Sequence, residues 1–280
     1  MLKPGITLKG AGPGKTVLDG LLVGSVVKMA SNSTIDGFQI KNSGNKTVYV
    51  YEKLVKKVSE INAGVFVPAG VSNVTVKNSY FDNNYEGLFV NKATNVTVQN
   101  NLFVNQRYDG INISEGSNVK VLYNTIDKNK ILRGIKVYKT SLLQVKNNLV
   151  TSNNGGIYCS SVPSGYVISY NDVWSNKGSG RVASVDYSGC VSGVGSISLD
   201  PKYVGVGANV LEKHELQVTS PVLKAGELGA RMGWTRPADA PDTNGTGPKI
   251  INGVFYTHTD HLGSSSITVS DTGVVKQLAD

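Results

Sequence analysis

Only three histidines occur in the 280 residues, His214, His258 and His261, so imidazole chemistry is missing from the first three quarters of the chain. Cysteine is nearly as scarce. Cys159 and Cys190 are too few for a disulfide framework and have no metal-ligand spacing. Two readings stay open for them, a pair of buried thiols or a single disulfide made in an oxidising compartment. No apolar run reaches the length of a membrane-spanning helix, which argues against membrane insertion, and no signal peptide follows Met1. Residues 5–20 (GITLKGAGPGKTVLDG) already read as strand and turn, so the expectation is a fragment of a longer exported protein. Charged residues are 17% of the chain, below the usual quarter or so. The only dense basic stretch lies at 52–57 (EKLVKK), which argues against nucleic acid as a partner. The net charge of +8 favours acidic partners instead, polyanionic sugars or anionic surfaces.

What is abundant is Gly, Asn, Ser, Thr and Val, and these residues recur in register. Residues 71–163 divide into four consecutive segments of 22 to 24 residues, and a fifth begins at Ser164. Val74/Val76, Val96/Val98, Val119/Val121 and Leu143/Val145 alternate with polar residues, the period-two pattern of a strand buried on one face. Phe81, Phe103, Ile126, Val150 and Val173 mark a second inward position. Gly64, Gly87, Gly110, Gly134 and Gly156, each followed by an aliphatic residue, open a third strand. Three short strands per repeat predict an all-β fold: a right-handed, three-sided parallel β-helix, a solenoid with about 23 residues per coil.

Two polar columns accompany the apolar ones. Ser79, Asn101, Asn124, Asn148 and Asn171 occupy one turn; Asn84, Gln106, Asn129, Asn153 and Asn176 occupy another. Side-chain amides stacked this way can hydrogen-bond along the solenoid, and Asn tolerates left-handed backbone. The first 45 residues follow the pattern loosely. At 43–60 the register breaks, which predicts an insertion on one coil. The helix with its closing segment is expected over 1–235, a flexible linker over 236–252, and a separate element over 253–280.

These repeats resemble the parallel β-helix repeats of the pectate-lyase-like superfamily over roughly residues 1–200. Residues 170–176 (YNDVWSN), 197–204 (ISLDPKYV) and 215–226 (ELQVTSPVLKAG) resemble the closing coils of secreted bacterial β-helix proteins, with Tyr203 where that pattern has Phe and Lys224 where it has Asp or a small polar residue. Residues 255–275 (FYTHTDHLGSSSITVSDTGVV) resemble a single Rhs/YD-type repeat, on Tyr256, His258, Asp260, His261, Leu262, Gly263, Ser264, Asp271 and Gly273. That resemblance implies a large secreted or surface parent and assigns His258, Asp260 and His261 to the repeat rather than to a metal.

The candidate site follows from the third strand of each coil. Phe89, Asn112, Lys136, Tyr138 and Tyr158 fall on outward positions, where aromatics can stack on sugar rings and cations can meet uronate carboxylates. Glu86, Asp109 and Arg133 immediately precede the glycines. In-register neighbours on adjacent coils lie about 4.7–4.9 Å apart, so Glu86 and Asp109 could form an acid/base pair of retaining-hydrolase spacing or bind calcium, with Arg133 and Lys136 beside them. The alternative is a solvated ladder in which Arg133 neutralises Asp109. The Asn-Thr-Asp, Asp-Asp and Gly-His-Gly motifs of superfamily polygalacturonate hydrolases are absent. The first expectation is therefore a monomeric, non-enzymatic, extracellular or cell-surface module that binds polysaccharide and needs no cofactor. A polysaccharide lyase or glycoside hydrolase, with calcium if a lyase, is the second. A structural stalk for a C-terminal effector is the third.

Overall fold

A computed structural model describes residues 1–52, 55–178 and 185–237, with the backbone of three further short strands, Lys249–Ile251, Ile267–Val269 and Val275–Gln277. It is a right-handed β-solenoid of about seven turns with about 23 residues per coil. Three parallel sheets run its length. The first contains Ser72–Lys77, Thr94–Gln99 and Ser117–Leu122 among its strands; the second contains Tyr80–Asp82, Leu102–Val104 and Thr125–Asp127; the third contains Glu86–Asn91, Ile111–Ser114 and Arg133–Tyr138. Each coil supplies one strand to each sheet. The period-two valines of the first sheet and the aliphatics that follow the glycines of the third point inward and meet in one continuous core. No coil could bury that surface alone, and stacking supplies the partner. Phe81 and Phe103 stack inside it, with ring centroids 4.3 Å apart.

The glycine column exists because the coils turn too tightly there for a side chain. A Cβ on Gly87 would sit 2.3 Å from the carbonyl oxygen of Gly110 and 2.7 Å from the ring of Phe103. The polar columns do what their spacing suggests. The side-chain oxygen of Asn124 accepts the backbone N–H of Asn101 at 3.0 Å, and that of Asn148 accepts the N–H of Asn124 at 2.9 Å. In the second column Gln106, Asn129 and Asn153 accept the N–H groups of Asn84, Gln106 and Asn129 in turn. These amides are buried and replace the ladder hydrogen bonds that the turns interrupt.

Between coils the ladder partners are 22 to 24 positions apart, but at the second coil the interval grows to 41. The excess forms an antiparallel hairpin, Thr47–Glu52 with Val55–Ile61, between the second-sheet strand Gln39–Lys41 and the third-sheet strand Ala63–Val67. Its second strand lies against Glu86–Asn91.

After the last coil the chain reverses and runs back along the outside of the second sheet as a strap. Its landmarks are a short helix, Val210–Lys213, capped by Asn209, and a 3-10 turn, Pro221–Leu223, capped by Ser220. Tyr203 places its hydroxyl 3.1 Å from Thr151 Oγ1. Val222 and Met232 cover Leu149, and Trp234 seals Tyr80, Leu102 and Val104 with Leu211. The second sheet thus has apolar residues on both faces, one buried in the solenoid and one buried by the strap. Most of the segments expected to be a linker at 236–252 and an Rhs-like element at 253–280 lie outside the described residues. Within the first, Lys249–Ile251 pairs in parallel with Thr16–Asp19 at the end of the second sheet; within the second, Ile267–Val269 and Val275–Gln277 pair antiparallel.

Candidate functional site

The outer face of the third sheet carries one in-register column: Phe66, Phe89, Asn112, Lys136, Tyr158. The hairpin divides it into two environments. Toward the N-terminal coils the column is covered. Phe66 and Phe89 stack at 5.5 Å and pack with Ala63 and Ile61, the last residue of the hairpin. Phe89 retains 2% and Asn112 1% of their surface, which corrects the expectation that both present themselves to a glycan. Alternation places them outward, as their spacing requires, but the second strand of the inserted hairpin lies against the Glu86–Asn91 strand and packs Ile61 with the Phe66–Phe89 pair.

Beside them lie Glu86, 3% exposed, and Asp109, 0% exposed. Glu86 Oε2 accepts the backbone N–H of Asp109 at 3.0 Å, and Asp109 Oδ1 accepts that of Arg133 at 2.9 Å. The two carboxylates extend the amide ladder one step beyond the second turn. Arg133 Nη1 stands 3.7 Å from Asp109 Oδ1, and Asn112 Nδ2 is 3.5 Å from Glu86 Oε1. Among the described residues, Asp109 Oδ2, Asn112 Oδ1 and Arg133 Nε have no hydrogen-bond partner. Burial, reinforced by the charge of Asp109, pushes the Glu86 carboxyl well above its ordinary value; the positive charge of Lys136 opposes this without cancelling it. Burial raises Asp109 as well, against the pull of Lys136 and Arg133. A raised, buried carboxyl can hold a proton at neutral pH, but this pair is buried away from any polymer at the surface.

Beyond the hairpin the column opens. Arg133, Lys136, Tyr138 and Tyr158 are half-buried, and Lys139 is exposed. The Arg133 guanidinium lies over the Tyr158 ring at 4.3 Å from its centroid, and Lys139 Nζ lies 5.2 Å from that of Tyr138. Cations held over aromatic rings keep their charge while presenting a flat, partly apolar surface. The same elements therefore bring together Arg133, Lys136, Tyr138 and Tyr158 at the surface, and bury Glu86, Asp109, Asn112 and Phe89 beside them.

Sequence reasoning passed over a second aromatic pair. Tyr85 and Tyr108, each one residue before a buried carboxylate, meet with ring centroids 4.3 Å apart and ring planes tilted by 36°. Arg107 beside them donates to the Ser43 carbonyl. The signal was present as Tyr-Glu-Gly at 85–87 and Tyr-Asp-Gly at 108–110, at equivalent points of successive repeats. No group of three or more His, Cys, Asp or Glu side chains among the described residues is placed to hold a metal ion.

Stacked parallel coils, internal amide ladders and one partly covered lateral face define a parallel β-helix repeat protein. The chain belongs to the right handed beta helix region family, whose model matches residues 23–184. No curated protein and no solved structure matches the chain.

Proposed function

We propose that this β-helix is a non-catalytic module that binds an acidic polysaccharide along the open half of the third sheet. The observation that carries this reading is the half-buried group Arg133, Lys136, Tyr138 and Tyr158, with Arg133 laid over the Tyr158 ring. Sugar rings stack on aromatic faces, and uronate or sulfate groups pair with fixed cations. Strand spacing of about 4.8 Å repeats these contacts along the axis in steps close to the length of one sugar residue. The net charge of +8 draws a polyanion toward the surface. The parent is read as exported, displayed at a bacterial cell surface or released. The resemblance of residues 255–275 to an Rhs/YD-type repeat and of the coils to the pectate-lyase-like superfamily supports that setting.

A second reading, a polysaccharide lyase or glycoside hydrolase, draws support from Glu86, whose raised carboxyl stands beside the unpartnered Asp109 Oδ2. Against it stand the burial of both carboxylates and their use as backbone acceptors.

One experiment separates the two. Purified protein is mixed with pectate, alginate, hyaluronan and neutral glycans, with and without calcium; binding is followed by pull-down and turnover by new reducing ends and unsaturated-uronate absorbance. Salt-sensitive binding to an acidic glycan without turnover, lost in Lys136→Ala and Tyr158→Ala, supports the module. Turnover that disappears in Glu86→Gln overturns it in favour of the enzyme. Neither binding nor turnover leaves a structural stalk.

A further inference from the structure

The third sheet has a second inward column, Val67, Val90, Ile113, Val137 and Cys159. Four coils fill it with branched aliphatics and the fifth with a thiol. The next coil continues with Tyr187 opposite Ile157 and Ser188 opposite Tyr158, so Gly189 faces Cys159. Gly189 has φ +70° and approaches so closely that a Cβ there would stand 1.9 Å from the carbonyl oxygen of Cys159. That left-handed residue turns the following side chain into the core. The sulfur of Cys190 lies 3.8 Å from the carbonyl oxygens of both Ile157 and Ser188, and Cys159 and Cys190 are buried in the same core cluster, close enough to shift each other's ionisation. The chain has only two cysteines, and the fold brings them together on successive coils at the C-terminal end of the core.

The geometry points to Cys159 and Cys190 as a disulfide site, closed by a small-molecule disulfide or an equivalent two-electron oxidant, that staples the last coil to the one before it. Burial alone would be served by the valine or isoleucine of the other coils, and the column changes to sulfur at the one position where a second sulfur meets it. The two thiols are unequal. The influence of Cys159 holds Cys190 below its ordinary value, while that of Cys190 and burial raise Cys159. Cys190, 9% exposed against 3% for Cys159, is therefore the attacking sulfur. Its thiolate displaces one thiolate from the external disulfide and leaves a mixed disulfide on Cys190. The Cys159 sulfur then attacks the Cys190 sulfur and expels the second external thiol. Two protein thiols lose two electrons, one external disulfide becomes two thiols, and the two protein protons end on those thiols. The staple sits at the end of the stack, where a solenoid begins to unzip.

The test uses the full chain, folded, in oxidised glutathione. Free thiols are counted by alkylation after denaturation, the linkage is read by peptide mass, and thermal unfolding is followed with and without dithiothreitol. The expected result is loss of both thiols in a monomeric chain, a 159–190 cross-link, and a melting point raised by roughly 5 °C. The rise should reverse on reduction and be absent in Cys159→Ala and in Cys190→Ala. Two thiols that survive in the folded chain while the urea-unfolded chain oxidises would overturn the proposal. So would separate glutathione adducts on both cysteines, or a cross-link between chains. None of these readouts involves glycan binding, so they stand or fall apart from the proposed function.

Discussion

His214 Nε2 lies 3.0 Å from Asp127 Oδ2, while its Nδ1 lies 2.8 Å from the carbonyl oxygen of Val210. A carbonyl only accepts, so the ring is the donor in the Nδ1 contact. The strap is therefore fastened to the second sheet by a buried, charge-assisted contact between two elements distant in sequence. Burial pushes the Asp127 carboxyl up, but the hydrogen bond and charge of His214, with Lys128, outweigh it and hold the group below its ordinary value. A depressed carboxyl contributes stability that is fully present above its unfolded value, about pH 4, and is lost as pH falls through the folded one. Asp127→Asn should cost about 3 kcal/mol in urea unfolding at pH 7, because it removes the buried carboxylate that faces His214 and Lys128. It should also flatten the acid limb of the stability profile. An unchanged acid limb would show that the contact does not fasten the strap.

Trp234 is the apolar half of the same fastening. Removing it in Trp234→Ala opens a cavity over Tyr80, Leu102 and Val104 and should cost about 3–5 kcal/mol. Limited proteolysis should then cut between residues 200 and 236 well before the coils, where the wild type resists. Simultaneous loss of coils and strap would mean that they do not unfold separately.

Asn124 tests the internal ladder. Its Nδ2 donates to the carbonyls of Val98 and Leu122 and to Asn148, and its Oδ1 accepts from the backbone and side chain of Asn101. Asn124→Ala leaves several of these groups buried without partners, at about 1–3 kcal/mol each. A loss of at least about 3 kcal/mol in denaturant unfolding is expected, far more than the volume change alone would give.

Close approach of the coils predicts a contrast between two glycines. Gly87→Ala drives a Cβ into the Gly110 carbonyl and should destabilise the fold by about 3 kcal/mol or more. Gly24→Ala meets nothing within 4 Å and has no left-handed backbone, so its melting point should stay within about 1 °C of the wild type.

The burial of Glu86 has a pH signature of opposite sign to that of Asp127. A carboxyl raised in the fold adds stability at low pH that is lost as pH rises from its unfolded value, about 4.3, toward the folded one. Glu86→Gln removes this loss and keeps an oxygen for the Asp109 N–H. The variant should be more stable than the wild type at pH 7, and the gain should shrink toward pH 4. A destabilised variant at pH 7 would show that the charged form is the one the fold favours.

The coils were legible in the sequence because each rests on a short-range pattern. Val96 and Val98 alternate within one strand, Gly87 and Gly110 mark equivalent turns, and Asn101 and Asn124 repeat at the coil interval. What covers the coils was not legible. The alternation puts Phe89 on the outer face, but its burial depends on where a hairpin from 47–61 comes to lie, and no periodicity encodes that. Leu102 and Leu149, apolar residues on outward positions of the second sheet, were the available sign that something packs there. That it is the strap follows only from the path of a segment without repeats.

That path also limits how the protein can change in length. Stacks of independent repeats gain or lose units freely, because each unit touches only its neighbours. Here the strap is pinned at one end where the Leu199 N–H meets Asp172, and at the other where the Thr235 N–H meets Asn100. Removing one whole coil between those points would leave the amide ladder continuous, yet shorten the distance by one strand spacing, about 4.8 Å. The strap contacts at Asp127 and Leu149 would then fall out of step with its anchors, so the path of the strap and the number of coils fix each other.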